Sequence, residues 1–150
     1  MALEFTNPDD LKQKTYYLAG KMSGLAQFNI PEFYRVAAEL RALGHKIVNP
    51  AERDSPEVRD AALRSLTGAK SDLPKSESWG SIMGRDVELV IEEVDGLIVF
   101  SNWTESLGAR IEVATAHIVG KPVKLLFVDR GGKVQIRDLE VVAIEEGIIG

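Results

Sequence analysis

The segment from Asp95 to Glu112 constrains the fold most, because it joins an apolar run to a helical pattern through a short polar loop. Leu97–Phe100 is wholly apolar and predicts a buried strand of a parallel sheet. Ser101–Glu105 is the polar loop, and Ser106–Val119 has helical spacing. A strand, a loop and a helix in this order place the first turn of the helix at the carboxyl edge of the sheet. Open α/β sheets bind their ligands at that edge.

The helix over 106–119 is expected to bury one apolar stripe and to offer its first amides to a ligand. The stripe is formed by residues four, three and four positions apart, namely Leu107, Ile111, Ala114 and Ile118. The unpaired amides of Ser106, Leu107 and Gly108 favour an anion. Glu112 lies one turn further along, so its carboxylate can reach the same crevice. Because Glu112 is at the margin of the stripe, helical geometry alone leaves its direction open.

The rest of the chain alternates strand and helix patterns, which predicts an α/β fold. Strands are expected at Thr15–Ala19, His45–Val48, Asp95–Phe100 and Val123–Val128, with a final strand or hairpin between Val134 and Ile144. Helices are expected from Asn29 or Ile30 to Leu43, over Pro56–Leu66 and over Trp79–Glu92. Their apolar positions are Phe33, Val36, Ala37, Leu40 and Leu43, then Val58, Ala62 and Leu66, then Ile82, Val87, Val90 and Ile91. We therefore expect a flavodoxin- or Rossmann-like three-layer sandwich with a mostly parallel sheet of four to five strands.

Length and composition favour a single domain over residues 1–150. Residues 1–14 are expected to form a polar surface arm, and residues 67–78 an exposed loop of the kind that serves as a lid or binding loop. The net charge of −5 argues against a nucleic acid polymer as the partner. No apolar run approaches the roughly 20 residues of a membrane span, and no secretory signal is recognisable, so we expect a cytoplasmic protein.

Residue types exclude several kinds of chemistry. The chain has no cysteine, which excludes disulfides, thiolate zinc sites and a cysteine nucleophile. His45 and His117 are its two histidines, so we expect no metal site and no cofactor. The loop after the first strand is Gly20–Gly24, which lacks the dinucleotide-binding fingerprint and disfavours hydride transfer.

Three polar residues from distant parts of the chain meet if the sheet is parallel. Tyr17 is near the carboxyl end of the first strand, Asp86 is on the helix before the third strand, and Glu112 is on the helix after it. Each has a structural alternative. Tyr17 can be a core residue, Asp86 a solvated residue paired with Arg85 or Lys21, and Glu112 a residue facing solvent.

The pattern of these blocks resembles the nucleoside 2-deoxyribosyltransferase-like superfamily, which includes the 2'-deoxynucleoside 5'-monophosphate N-glycosidases. The blocks are Tyr17–Gly24, Arg85–Val90 leading into Val94–Val99, and Ser106–Glu112. A branch of that superfamily common in bacteriophage genomes also has segments like Asn49–Glu52 and Phe28–Pro31. The resemblance covers residues 16 to about 127.

The resemblance implies a role for each matching residue. Glu112 corresponds to a glutamate nucleophile that attacks C1' of the sugar, Asp86 to the residue that manages the proton of the departing base, and Tyr17 to the residue that orients the nucleophile. Ser106, Leu107 and Gly108 would hold a 5'-phosphate, which agrees with the helix-terminus argument. The remaining candidates for substrate contact are Gly20, Lys21, Met22 and Asn49. Family members are usually homo-oligomers, so a homodimer or larger assembly is expected.

Departures from the family pattern bear on the reaction. Arg110 and Lys21 add cations where the family has other residues, and either cation is expected to add phosphate affinity or to disturb the usual pose. An asparagine used by the transferases is not found near the C-terminus, which favours water as the acceptor. Trp79 and Trp103 are candidates for stacking on a base or for packing beneath a loop. The predicted activity is hydrolysis of the base–sugar bond of a (deoxy)nucleoside 5'-monophosphate. The alternatives are a nucleotide sensor or sequestering protein without catalysis, and a deoxyribosyltransferase.

Overall fold

The computed structural model describes residues 14–150 and contains one five-stranded, mostly parallel sheet with helices on both faces. The strands are β1 (Thr15–Ala19), β2 (Lys46–Val48), β3 (Gly96–Val99), β4 (Val123–Val128) and β5 (Val134–Asp138). They lie in the order β2-β1-β3-β4-β5, and only β5 is antiparallel to its neighbour. The α/β sandwich predicted from the sequence is therefore confirmed. The predicted N-terminal arm lies outside the described residues except for Lys14.

The helices are α1 (Ile30–Ala42), α2 (Pro56–Arg64), α3 (Trp79–Glu92), α4 (Leu107–Ile118) and α5 (Val141–Ile149). Serine caps define where three of them begin, since Ser55 caps α2 in the same way as the two serines given next. The hydroxyl of Ser78 accepts from the amide of Ser81 at 3.0 Å, and the hydroxyl of Ser106 accepts from the amide of Ala109 at 3.1 Å. The predicted final strand or hairpin between Val134 and Ile144 is right only for its first part: β5 ends at Asp138, and the residues from Val141 onward form the nine-residue helix α5. None of the helices within residues 14–150 has the length and apolar character needed to cross a bilayer.

The alternation of side chains along β1 decides which residues can reach the helices on each face. Tyr16 and Leu18 pack in the cluster with α1, whereas Tyr17 and Ala19 pack in the cluster with α3, α4 and α5. This alternation follows from the two-residue period of a strand. It directs Tyr17 toward the two helices that carry Asp86 and Glu112.

The predicted buried face of α4 is wrong. Leu107 and Ile118, at the two ends of the predicted stripe, are 58% and 81% exposed. The buried positions are instead Ala109, Glu112, Val113 and Ala116. Both sets have helical spacing. The face with small alanines is the buried one, and small side chains let a helix backbone approach its neighbours closely.

Three other apolar residues that were expected in buried stripes are exposed. Leu43 and Leu66 are 53% and 87% exposed because α1 and α2 end before they are reached. Ile91 is 41% exposed, and Leu89 and Val90 are the buried apolar residues of α3 instead. A stripe extrapolated past the end of a helix, or placed one residue off, selects side chains that face solvent.

Candidate functional site

A cavity of about 170 Å³ lies at the carboxyl edge of the sheet. It lies at the carboxyl end of β1 and beside the helix that follows β3. These two neighbouring strands are where the strand order reverses, which is the usual ligand position of this fold. A single buried water needs a cavity of about 10–15 Å³, so this cavity has room for an organic ligand. Its walls come from β1, α3, α4 and the segments that follow β1 and β2.

Tyr17 and Glu112 form the floor of this cavity. Tyr17 is fully buried and Glu112 is 5% exposed, and the tyrosine hydroxyl donates a short hydrogen bond to Oε2 of the glutamate. Burial, followed by the charges of Glu112 and Asp86, raises the pKa of Tyr17 well above its ordinary value. The hydroxyl therefore keeps its proton and holds the carboxylate in place.

Asp86 lines the same cavity from α3 and is 6% exposed. Its Oδ1 accepts two hydrogen bonds from Arg85, at 2.9 Å from Nε and 2.6 Å from the terminal nitrogen Nη2. The other terminal nitrogen of Arg85, Nη1, donates to Oδ1 of Asp54 at 2.9 Å. Asp54 follows β2 and also lines the cavity. A buried ion network therefore supports one wall of the site.

The two cavity carboxylates titrate differently. Burial raises the pKa of Asp86 to about 6, against the opposing charge and hydrogen bonds of Arg85. Burial and the charge of Asp86 raise the pKa of Glu112 to about 8, against the hydrogen bond from Tyr17. Between these values the pair holds one proton. Perturbed carboxylates in a cleft are typical of acid–base or nucleophilic sites.

The first turn of α4 forms another side of the cavity, which Ser106, Leu107 and Gly108 line. Ser106 is occupied as the helix cap, and the amides at the start of a helix attract anions. A Cβ on Gly108 would lie 3.2 Å from the sulfur of Met83, so the glycine allows α4 to approach α3 closely. This close approach brings Asp86 and Glu112 to one cavity.

A left-handed turn contributes to the cavity wall through Phe28. Gln27, Phe28 and Asn29 have φ of 55°, 53° and 59°, a conformation that L residues seldom adopt. Hydrogen bonds hold the turn in place: among them, the amide of Gln27 donates to the carbonyl of Ser65 at 2.8 Å, and the side-chain amide of Asn29 donates to the carbonyl of Lys21 at 3.2 Å. Phe28 is buried and lines the cavity. Strain of this kind often occurs at ligand sites.

The segment before α3 contributes a cation to the cavity, and the first residue of α3 contributes an aromatic ring. Lys70 and Trp79 line the cavity, and the ammonium of Lys70 lies 4.3 Å from the centre of the Trp79 ring. The predicted exposed loop over 67–78 is largely exposed but docked, because the amide of Gly24 donates to the carbonyl of Gly68 at 2.9 Å. A Cβ on Gly68 would lie 2.2 Å from the carbonyl oxygen of Leu25, so this contact requires glycine.

The structure brings most of the predicted site residues together. The cavity is lined by Tyr17, Gly20, Met22, Asp86, Ser106, Leu107, Gly108 and Glu112. Lys21 and Asn49 do not line it. The backbone of Lys21 is tied to Asn102 and Asn29, and the side chain of Asn49 is buried where it caps the turn Pro50–Arg53.

Two residues singled out in the sequence have structural roles. Arg110 donates to the carbonyls of Gly147 and Ile148 at 2.6 Å and 2.5 Å, so its charge caps α5 and is outside the cavity lining. Trp103 is buried in the core, where a Cβ on Gly147 would lie 2.2 Å from its ring. Of the two tryptophans, Trp79 is the one at the cavity.

Sequence reasoning missed several wall residues. Asp54, Lys70 and Phe28 line the cavity but carry no local pattern that marks them as functional. Asp54 had one usable signal, since it comes just after the carboxyl end of β2, at the same edge as the other candidates. Within residues 14–150, no group of three or more His, Cys, Asp or Glu side chains is arranged to hold a metal ion.

The chain belongs to a family described as a domain of unknown function (DUF4406), whose model matches residues 14–125. This range contains Tyr17, Asp54, Arg85, Asp86 and Glu112, so the cavity and its ion network lie within the family domain. No curated protein and no solved structure matched the chain.

Proposed function

We propose that this DUF4406 protein is an N-glycosidase that hydrolyses the base–sugar bond of a (deoxy)nucleoside 5'-monophosphate. One observation carries the proposal: two buried carboxylates, Glu112 and Asp86, share a ligand-sized cavity, and a tyrosine hydroxyl holds one of them. Paired carboxylates are the usual means of breaking a glycosidic bond. The resemblance to the nucleoside 2-deoxyribosyltransferase-like superfamily, drawn from the same residues, supports the choice of an N-glycoside.

In the proposed first step, an oxygen of Glu112 attacks C1' of the sugar and forms a glycosyl ester. The bond from C1' to the base nitrogen breaks, its electron pair stays on the base, and the proton of Asp86 neutralises the departing base. Water then attacks C1', Asp86 takes a proton from that water, and Glu112 is released. The products are the free base and the sugar 5-phosphate.

The proton count of the pair suits this sequence of steps. The reaction needs one ionised carboxylate and one protonated carboxylate at the same time. With pKa values of about 6 and about 8, the pair carries one proton near neutral pH. The resting proton is on Glu112, and the step begins from the form with the proton on Asp86. The rate should therefore follow a bell-shaped pH profile with limbs near these two values.

Two features favour a substrate with a phosphate. The start of α4 offers backbone amides to the cavity, and Lys70 supplies a positive charge. Lys70 is the one basic side chain among the lining residues in the described part of the chain. The lining also includes the aromatic rings of Phe28 and Trp79, which suit contact with a base. Ribose and deoxyribose remain alternatives at this site.

The test is a base-release assay with a panel of ribo- and deoxyribonucleosides and their 5'-monophosphates, read by chromatography. We expect release from at least one monophosphate, slower release from the matching nucleoside, and none from Glu112→Gln. Glu92→Gln is the matched control, since Glu92 is exposed at the end of α3 and distant from the cavity lining. Absence of free base from every compound, with the protein folded, would refute the enzyme proposal.

A nucleotide-binding protein without catalysis is the second candidate. The observation that favours it is the raised pKa of Glu112, because a carboxyl that is protonated at neutral pH is a poor nucleophile. This candidate predicts saturable binding of a monophosphate with no base released at any pH. Calorimetry on the same panel, run beside the release assay at pH 6, 7 and 8, separates the two.

A further inference from the structure

The guanidinium of Arg85 engages three acceptors with its three nitrogens. Nε and Nη2 both donate to Oδ1 of Asp86, Nη1 donates to Oδ1 of Asp54, and Nη2 also reaches the carbonyl of Pro50 at 3.4 Å. Asp54 and Asp86 line the cavity, whereas Arg85 does not. Arg85 can therefore act on a bound substrate only through its two carboxylate partners.

We propose that Arg85, anchored by Asp54, is the positioning residue of the site, because it fixes Asp86 in the cavity wall and decides how Asp86 and Glu112 share their proton. This inference rests on the proposed function, since it assigns the control of the same carboxylate pair. Two bonds to a single oxygen hold Asp86 firmly and leave its Oδ2 outside the guanidinium's hydrogen bonds.

The titratable groups around Asp86 come from four elements. The hydroxyl of Tyr17 on β1 lowers the pKa of Asp86 through a hydrogen bond, and Glu112 on α4 lines the same cavity. Arg85 lies beside Asp86 on α3, and Asp54 approaches from the segment after β2. Arg85 lowers the pKa of Asp86, and Asp54 raises it. Removing Arg85 should therefore raise the pH at which Asp86 titrates, and removing the charge of Asp54 should lower it. A purely structural cross-link would not produce shifts in opposite directions.

The surroundings of Asp54 are charged as well. Burial raises the pKa of Asp54 despite the hydrogen bond from Arg85, Glu77 raises it further, and Arg59 lowers it. Asp54 is thus an ion whose main partner is Arg85. The substitution Asp54→Asn keeps a hydrogen-bond acceptor of the same shape and removes only its charge.

The first experiment compares pH profiles of kcat/KM for the wild type and Arg85→Met. Loss of the cation should move the acidic limb upward by about 1–3 pH units, since an adjacent opposite charge lowers a carboxyl pKa by that much. Arg53→Met is the matched control: Arg53 forms an exposed ion pair with Glu93 at 3.3 Å, and its removal should leave the limb in place.

The second experiment uses Asp54→Asn, which retains the side-chain shape and so tests the proposal even where Arg85→Met fails to fold. Its acidic limb should move downward, because the carboxylate that opposed ionisation of Asp86 is gone. Unchanged limbs in the variants that fold, or movement in the same direction, would overturn the proposal.

A titration without substrate separates this inference from the proposed function. The chemical shift of the side-chain carboxyl carbon of Asp86 is followed by NMR against pH in the wild type, Asp54→Asn and Arg85→Met. The protein carries 13C-labelled aspartate, and the spectrum of Asp86→Asn assigns the signal. Opposite shifts in the two variants support the role of Arg85 even where no base is released. Identical titration curves reject it even where the enzyme is active.

Discussion

The two halves of the cavity present the same chemical group in two different settings. Asp86 on α3 and Glu112 on α4 are both buried carboxylates. Asp86 is paired with the guanidinium of Arg85, whereas the hydrogen-bond partner of Glu112 is the neutral hydroxyl of Tyr17. A cation offsets much of the cost of burying a charge, and a hydroxyl offsets less. Burial therefore raises one pKa to about 6 and the other to about 8.

This difference indicates how neighbouring helices can give two carboxylates separate roles. A pair with equal surroundings would have no preferred location for its proton. Here the cation is on one side, so the proton rests on Glu112. Substitutions in each half test how far the two halves differ.

The largest expected effect is the loss of activity in Glu112→Gln. Removing a nucleophile from a two-step displacement should lower kcat for base release by about 10⁴-fold or more, as measured in other enzymes with covalent catalysis. The measurement is single-turnover base release under saturating substrate. A residual rate above about 1% of the wild type would mean that Glu112 is not the nucleophile and would assign that role to the half of the cavity that carries Asp86.

Asp86→Asn should have a smaller effect on rate and a second effect on its neighbour. Loss of a general acid lowers the rate by about 10²–10⁴-fold. The negative charge that raises the pKa of Glu112 also disappears, so Glu112 should ionise at a pH below 8 and the residual rate should rise with pH through that lower value. A pH profile of kcat/KM measures both. A residual rate that still rises near pH 8 would show that the two carboxylates are not electrically coupled.

Glu112→Gln should also stabilise the protein at alkaline pH. The pKa of Glu112 is raised from 4.5 to about 8, so between these values the folded state holds a proton that the unfolded chain releases. The wild-type free energy of unfolding therefore falls as pH rises through this range, by about 1.36 kcal/mol for each unit of pKa difference. Urea titrations at pH 5 and pH 8 should show the variant gaining about 2–5 kcal/mol relative to the wild type at pH 8. An equal difference in the free energy of unfolding at both pH values would contradict the raised pKa of Glu112.

Tyr17→Phe removes the hydrogen bond that stabilises the ionised form of Glu112. The pKa of Glu112 should rise further, and base release at pH 7 should fall by about 10–100-fold. The basic limb should move upward with that pKa, so the variant should lose less relative to the wild type at pH 9, where the wild-type pair has lost its proton. Base release compared at the two pH values is the measurement, and a loss that is the same at both would leave Tyr17 with a packing role.

The smallest expected effect concerns the first turn of α4. Ser106→Ala removes the hydroxyl that caps the helix and should lower the free energy of unfolding by about 1 kcal/mol. Because the helix start also faces the cavity, KM for a monophosphate should rise more than KM for the matching nucleoside. Ser78→Ala, which removes the equivalent cap of α3, controls for capping alone. Equal changes in KM for the two substrates would exclude a phosphate at this turn.

The segment 95–112 shows how far the sequence could be read. Its strand, loop and helix were predicted because each has a local signal: an apolar β-branched run, a polar break and apolar residues at helical spacing. The rotation of α4 was predicted wrongly. Leu107, Ile111, Ala114 and Ile118 form one helical row, and Ala109, Glu112, Val113 and Ala116 form another. Choosing the larger side chains selected the row that includes the exposed Leu107 and Ile118.

The order of strands and helices along the chain as far as β5, the starts of α1 to α4, and the expectation that Tyr17, Asp86 and Glu112 lie near one edge of a sheet came from the sequence alone, since period and turn chemistry are local properties. The tertiary structure decided which face of α4 is buried, that Lys70 and Phe28 wall the cavity, and that Asp54 and Arg85 bind Asp86. These depend on contacts between residues far apart in the chain. The pKa of a carboxyl follows those contacts, because burial and nearby charge are properties of the folded environment and not of the residue type.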